Sequence, residues 1–247
     1  MKQVVGTRVS TTSYKDATAR IVSWASASES RYVCVATVQT VMEAIDSPDF
    51  RYAINQADLI TPDGMPLVWM LRWKGERAQA RVYGPTLMYH VLRAAEAERI
   101  PVGLYGSDAN VLRRLRDRLL LQFPRLNLPY AFSPPFRELS SDEDGDIMRL
   151  IRESGARILF VSLGCPKQER WMALHHSTFP GVMIGVGAAF DFLSLSKRQA
   201  PAWLQSLGLE WLFRLIQEPR RLWRRYLFHN PRFVILAFAE ILGLREK

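Results

Sequence analysis

The turn Thr61-Pro62-Asp63-Gly64-Met65-Pro66 follows a short apolar run and precedes an apolar helical one, so proline and glycine fix the backbone around one carboxylate. Read alone, Asp63 is a turn or helix-cap aspartate. Held at a strand end, it is also a candidate general base that takes a proton from an attacking hydroxyl. A second segment, Leu163-Gly164-Cys165-Pro166-Lys167-Gln168-Glu169, puts glycine after a strand and proline at a helix start. That order aims free backbone N–H groups at one point, where an anion can sit. Gly164 and Lys167 serve this anion reading, and Gln168 offers donor and acceptor together for a base or a sugar. The plain alternative is an ordinary strand-to-helix turn. Cys165 has no histidine placed to activate it and is not read as a nucleophile.

Gly185-Val186-Gly187-Ala188-Ala189-Phe190-Asp191 is only superficially a dinucleotide fingerprint. Its third glycine is missing and no ribose-binding acid follows, which excludes a Rossmann oxidoreductase. The small residues around Gly187 instead let a ligand approach the backbone, with Asp191 at the end of the segment. No metal and no cofactor are expected. His90, His175, His176 and His229 make no ligand spacing with cysteines or carboxylates, and no Asp-x-Asp pair is read as a holder of a diphosphate through a divalent ion. A departing diphosphate would then be neutralised by arginine.

Arginine is concentrated near the C-terminus. Arg214, Arg220, Arg221, Arg224, Arg225 and Arg232 stand against one acid, Glu218, and alternate with Trp211, Phe213, Leu222, Trp223, Tyr226, Leu227 and Phe228. Such interleaving suits nucleic acid or a phospholipid surface. Arg221, Arg224 and Arg225 lie three and four apart on a helix beginning near Pro219, which puts them on one face.

These residues need elements to hold them. Tyr32–Ala36, Leu59–Ile60, Val102–Tyr105, Asn127–Phe132, Ile158–Leu163 and Val182–Val186 read as strands. Between them fall helical patterns through Val41, Met42 and Ile45, and over Leu67 to Trp73, Leu87 to Ala97, Val111 to Phe123 and Ser140 to Ser154. This alternation predicts an α/β fold with a Rossmann-like, mostly parallel sheet flanked by helices. Right-handed crossovers collect the strand C-terminal ends on one edge, where open parallel sheets bind ligands. The loops there begin at Thr37–Gln39, Thr61, Gly106, Gly164 and Gly185, so one site is expected, with Thr37, Gln39 and Gly106 among its walls. After about Phe192 the strand signal stops, and Pro201, Gly208, Pro219 and Pro231 punctuate short helical stretches. Residues 1–192 are accordingly read as the catalytic domain and 193–247 as a helical, membrane-associating appendage.

The 247 residues can bury a substantial core, and 48% of them are apolar. The net charge of +9 calls for an anionic partner. Two cysteines, Cys34 and Cys165, define no disulfide framework. Met1 to Tyr14 is polar, without the apolar core of a signal peptide, and Phe233 to Leu244 is too short to span a bilayer. A cytoplasmic chain, peripheral at the inner face of the cell membrane, is the expectation.

Taken together, the ordered segments resemble the WecG/TagA/CpsF family of bacterial glycosyltransferases. The resemblance runs from about Val33 to Pro231. It rests on Ala57 to Pro66, Arg81-Val82-Tyr83-Gly84, Leu104-Tyr105-Gly106, Gly164 to Glu169, Gly185 to Phe192, and Gly208-Leu209-Glu210-Trp211-Leu212-Phe213-Arg214-Leu215 leading into Glu218-Pro219-Arg220-Arg221. It implies an inverting, metal-independent transfer from a UDP-sugar to an undecaprenyl-diphosphate-linked saccharide in cell-surface polysaccharide or teichoic acid synthesis. Carried over residue by residue, the family's base falls on Asp63. Arg81 and Gln168 fall on its substrate-binding positions, and Arg214, Arg221 and Arg224 or Arg225 on the arginines that meet the diphosphate. The chain departs from the family pattern at Thr37 and Gln39, at Thr86, and at Leu195 and Gln199, which leaves the donor open among N-acetylmannosamine, glucose and glucuronic-acid types.

The expected partners are thus the donor, the lipid-linked acceptor and an anionic membrane surface, with self-association open and no nucleic acid. The rival readings are a nucleic-acid-binding or membrane-surface module without catalysis. They leave the converging polar loops, and Asp63 and Gln168 within them, without a purpose.

Overall fold

The computed structural model describes residues 1–244. An antiparallel hairpin of β1 (Lys2–Val4) and β2 (Thr7–Val9) precedes α1 (Tyr14–Ser26). Then follow β3 (Arg31–Ala36), α2 (Val38–Asp46), α3 (Pro48–Asn55), β4 (Leu59–Pro62), α4 (Met65–Trp73) and α5 (Gly84–Glu98). Next come β5 (Val102–Gly106), α6 (Ala109–Gln122), β6 (Tyr130–Phe132), α7 (Ser141–Glu153), β7 (Ile158–Ser162), α8 (Lys167–His175), β8 (Val182–Gly185) and α9 (Ala189–Leu193). The C-terminal region holds α10 (Ala202–Ser206), α11 (Glu210–Gln217) and α12 (Pro219–Ile241).

The six central strands form one sheet in the order β4-β3-β8-β7-β5-β6, with every neighbouring pair parallel. This is the α/β architecture read from the sequence. Period-two alternation sends side chains to two cores. Val33, Val35, Leu104, Phe160 and Ile184 join α1, α5 and α6 on one face. Tyr32, Cys34, Ala36, Val161 and Met183 join α2, α3, α4, α7, α8 and α12 on the other. The strand run expected from Asn127 is ordered as a strand only at Tyr130–Phe132, since the edge has one partner, β5, and Pro129 has no N–H to donate. The sequence reading passed over the hairpin and α1. The strands of the hairpin are three residues each, and α1 shows only Ala17, Ile21, Val22 and Ala25 as a buried stripe.

Among the described residues no strand follows β8, and no helix is long and apolar enough to cross a membrane. Residues 245–247 of the expected appendage lie outside the described residues. Pro231 does not punctuate the C-terminal region: α12 runs through it as one helix. An interior proline costs about 3 kcal/mol, which the burial of Leu222, Phe233 and Ala237 on the sheet side of α12 offsets. Polar ties assist, since Glu240 accepts from the Val5 N–H at 2.7 Å and pairs with Lys74 at 2.5 Å.

Candidate active site

The C-terminal ends of the parallel strands open into a cleft of about 750 Å³. Its floor is made by the loops after β3, β4, β7 and β8, and α11 and α12 form a wall against them. Of the residues singled out from the sequence, Thr37, Gln39, Asp63, Arg81, Gly164, Gln168, Gly187, Asp191, Arg214, Arg221 and Arg225 line it. Gly106, Lys167 and Arg224 are not among its walls.

Asp63 leaves the end of β4, where its N–H donates to Ala36 O at 2.9 Å and so is held by the neighbouring strand. It caps no helix; the N-cap of α4 is Gly64. Asp63 is 9% exposed, and its Oδ1 accepts from Arg81 Nη2 at 2.7 Å and Nε at 3.0 Å. Arg81 Nε also donates to the Asp63 carbonyl oxygen. The guanidinium stacks on the Tyr83 ring at 4.1 Å and reaches Gln205 Oε1 at 3.3 Å and Glu210 Oε2 at 2.6 Å. Burial raises the Asp63 carboxyl above its ordinary pKa, Arg81 opposes that, and Glu210 adds to it. Burial by itself would lower the Arg81 pKa, but the two carboxyls more than reverse this and hold it cationic.

Gln168 and Glu169 open α8 and are both buried. The Gln168 amide is already engaged by the protein: Oε1 accepts from the Gly187 N–H at 3.1 Å, and Nε2 donates to Glu169 Oε1 at 2.8 Å. It therefore fixes the loop after β8, together with the Ser162 hydroxyl, which donates to Gly187 O at 2.7 Å. A Cβ at Gly185 would stand 2.6 Å from Met172 Cε and 3.2 Å from Gln168 Nε2, so glycine keeps room for both side chains. Burial pushes the Glu169 carboxyl up to about 6, and its Oε2 has no hydrogen-bond partner. Thr37 caps α2 through its hydroxyl, and Gln39 Nε2 donates to Cys165 O at 3.3 Å. Gly106 has a backbone reason to be glycine: φ is +114°, and a Cβ would meet Ser162 O at 2.4 Å.

The opposite wall is cationic. Arg214 of α11 lies over the Phe192 ring at 5.6 Å. Arg221 and Arg225 of α12, four apart, face the cleft, while Arg224 turns outward over Trp223 at 5.3 Å. The expectation that all three share one face therefore holds for two of them. Arg221 pairs with Glu218 at 2.5 Å. Lys197, beyond the end of α9, bridges Asp191 at 3.4 Å and Glu218 at 3.3 Å.

Sequence reasoning passed over Lys197, Glu210, Tyr83, Gln205 and His229 as cleft residues. Glu210 belongs to the Gly208–Leu215 segment, but nothing in its spacing points to Arg81, which lies 129 positions away. Among the described residues no three His, Cys, Asp or Glu side chains gather as a metal site. The chain does contain Asp-x-Asp spacing, at Asp142-Glu143-Asp144-Gly145-Asp146. It forms the first turns of α7, where Asp144 accepts from Trp171 Nε1 at 2.9 Å and pairs with His175 at 2.8 Å.

The cleft lies at the strand ends of a parallel sheet, where such sheets bind ligands, and is lined by a buried carboxyl and by arginines. The chain is 28% identical over 198 residues to an N-acetylglucosaminyldiphosphoundecaprenol N-acetyl-beta-D-mannosaminyltransferase of Bacillus subtilis (strain 168), covering 80% of this chain and 75% of that protein. A protein of the same description from Bacillus spizizenii is 28% identical over 204 residues, covering 82% of this chain and 77% of its own length. Residues 2–247 match the glycosyl transferase WecG/TagA/CpsF family, and this chain belongs to that family.

Proposed function

We propose that this protein transfers a hexose or N-acetylhexosamine from a UDP-sugar to an undecaprenyl-diphosphate-linked saccharide, with inversion and without a metal ion. The observation that carries the reading is that Asp63 lines one cleft together with Arg214, Arg221 and Arg225. In the proposed step the acceptor hydroxyl oxygen attacks the anomeric carbon and its proton passes to Asp63. The bond from that carbon to the phosphate oxygen breaks, and UDP leaves with the bonding pair. Arg214, Arg221 and Arg225 would neutralise the diphosphate, as preorganised cations do best in a cleft that excludes water. The relatives' names specify a β-linked product, which from an α-linked nucleotide sugar is an inversion. Those names also support an N-acetylglucosamine-bearing diphosphate lipid as acceptor and N-acetylmannosamine as the transferred sugar.

The 193–247 region is proposed to do two jobs, closing the cleft and docking at the inner face of the membrane. α12 exposes Trp223, Leu227, Phe228, Ile235 and Phe238 away from the cleft, and Leu242 follows at its end. That apolar stripe, with arginine beside it, has the make-up of an interfacial helix. Arg224, among Trp223, Leu227 and Phe228, is placed to meet lipid headgroups.

The test is UDP release by the purified full-length protein, with an N-acetylglucosaminyl-diphosphoryl lipid as acceptor. UDP-N-acetylmannosamine, UDP-glucose and UDP-glucuronic acid are offered in turn. Acceptor-dependent release with one of them supports the reading; no release with any nucleotide sugar overturns it.

A further inference from the structure

Glu210, the first residue of α11, is a buried carboxyl bound to groups far away in the chain. Its Oε2 accepts from Arg81 Nη2 at 2.6 Å, and its Oε1 accepts from the Tyr83 hydroxyl at 3.3 Å. The nitrogen that meets Glu210 is also the one that meets Asp63 Oδ1 at 2.7 Å. One guanidinium thus joins the carboxyl at the end of β4 to the carboxyl that starts α11. We propose that Glu210 is a positioning residue for the transfer: by holding Arg81 it fixes the carboxylate of Asp63, and it makes that geometry depend on the seating of α11. The proposal rests on the reading of Asp63 as the base.

The hydrogen-bond pattern explains why a second carboxyl matters. Arginine facing a lone carboxylate favours the two-pronged arrangement, one N–H to each oxygen. Here both Arg81 bonds to the Asp63 carboxylate fall on Oδ1, and none falls on Oδ2. Glu210 draws the other Nη2 hydrogen away, and Gln205 accepts from Nη1. Oδ2, which lies against the Gly84 backbone, takes no arginine bond and is the oxygen left to accept the proton of an incoming hydroxyl. Without Glu210 the guanidinium is free to rotate onto both Asp63 oxygens and cover the reactive one.

Electrostatics act in the same direction. The charged or titratable groups facing Asp63 are Arg81, Glu210 and the phenols Tyr83 and Tyr14, with Arg214 beyond Tyr83. Of these only Glu210 brings a second negative charge, and it opposes the pull of Arg81 on the Asp63 proton affinity. Both Glu210 and Gln205 come from the C-terminal region, so Arg81 takes this posture only when α10 and α11 are seated.

The test uses the full-length protein with Glu210→Gln and Glu210→Asp, assayed by UDP release across pH with the donor that the panel identifies. Glu210→Gln is expected to lower kcat by roughly 10- to 100-fold with donor KM within about threefold of wild type. The acid limb of kcat/KM should move to lower pH, because Asp63 loses a negative neighbour and gains arginine bonds, and a base is active only when deprotonated. Glu210→Asp keeps the charge but not the reach, so its limb should stay near that of wild type while kcat falls. A purely structural Glu210 would lower melting temperature in both variants and leave the limb in place, which overturns the proposal. If Glu210→Gln does not fold, an unchanged kcat in Glu210→Asp overturns it equally. Asp63→Asn separates the two levels. If that variant keeps turnover, the base reading fails. If it is inactive while Glu210→Gln matches wild type in kcat and limb, the base reading stands and only the role of Glu210 fails.

Discussion

Replacing Asp63 by asparagine should remove most of the activity while hardly touching the fold. Asn keeps the shape and the Oδ1 acceptor for Arg81 but cannot hold a transferred proton, so turnover should drop by roughly 10²–10⁴-fold. The stability side follows from the same contacts. Breaking a buried ion pair by deleting one partner commonly costs about 3–5 kcal/mol, because the remaining charge is stranded. Arg81 is not stranded here, since it retains Glu210 at 2.6 Å, Gln205 and the Asp63 carbonyl oxygen. The Asp63 carboxyl is also raised by burial. A raised carboxyl contributes stability that is full below its unfolded pKa and lost as pH rises through the folded one, so at neutral pH its charge is a burden that asparagine lifts. The lost charge-assisted bonds, worth about 1.5–3 kcal/mol, are opposed by that relief. The net change should stay within about 1 kcal/mol, or roughly 2–4 °C in Tm for a chain of this size. UDP release and a thermal melt on the same preparation measure both. Turnover within a few-fold of wild type would place the base elsewhere, and a collapse in Tm would show that the pair with Arg81 is chiefly structural.

Arg214→Ala and Arg221→Ala should each lower turnover while binding to anionic vesicles falls only modestly, one charge at such a surface being worth about 1 kcal/mol; vesicle sedimentation beside the transfer assay measures the two. Arg224→Ala should show the reverse emphasis, losing vesicle affinity at nearly full turnover on a soluble acceptor analogue. If the arginine wall supplies the charge as proposed, transfer should continue in excess EDTA; a strict need for magnesium refutes this. Glu169, pushed up to about 6, contributes stability that is full below its unfolded pKa and is lost as pH rises through 6. Glu169→Gln should therefore stabilise the protein at pH 7.5 by up to about 2 kcal/mol and flatten the pH dependence of urea unfolding below that.

The sheet was legible because its strands are buried on both faces and read as continuous apolar runs: Ile158–Ser162 and Val182–Gly185 stand out without any partner in view. The turn at Asp63 and the glycine after β7 were legible for a related reason, since proline and glycine constrain the backbone locally. What stayed hidden depends on long-range packing. The path of α12 through Pro231 is decided by Phe233 and Ala237 reaching the core, which no local rule foresees. The direction in which Arg224 and Arg225 point is decided by which side of α12 the sheet covers. The bond of Gln168 to Gly187 stayed hidden because the two are 19 positions apart.

The contact of Glu218 with both Arg221 and Lys197 has a consequence for how an anion enters the cleft. These cations already carry a tethered counterion, so an arriving diphosphate exchanges places with a carboxylate that belongs to the chain, not with dissolved salt. Release of small ions, which ordinarily makes phosphate binding fall steeply with ionic strength, then plays a smaller part. Affinity should depend less on salt than the number of arginines suggests. The exchange also filters by charge density: a monoanion is a poor substitute for the resident carboxylate, whereas a group with charge on two phosphates can engage Arg221 and Lys197 at once.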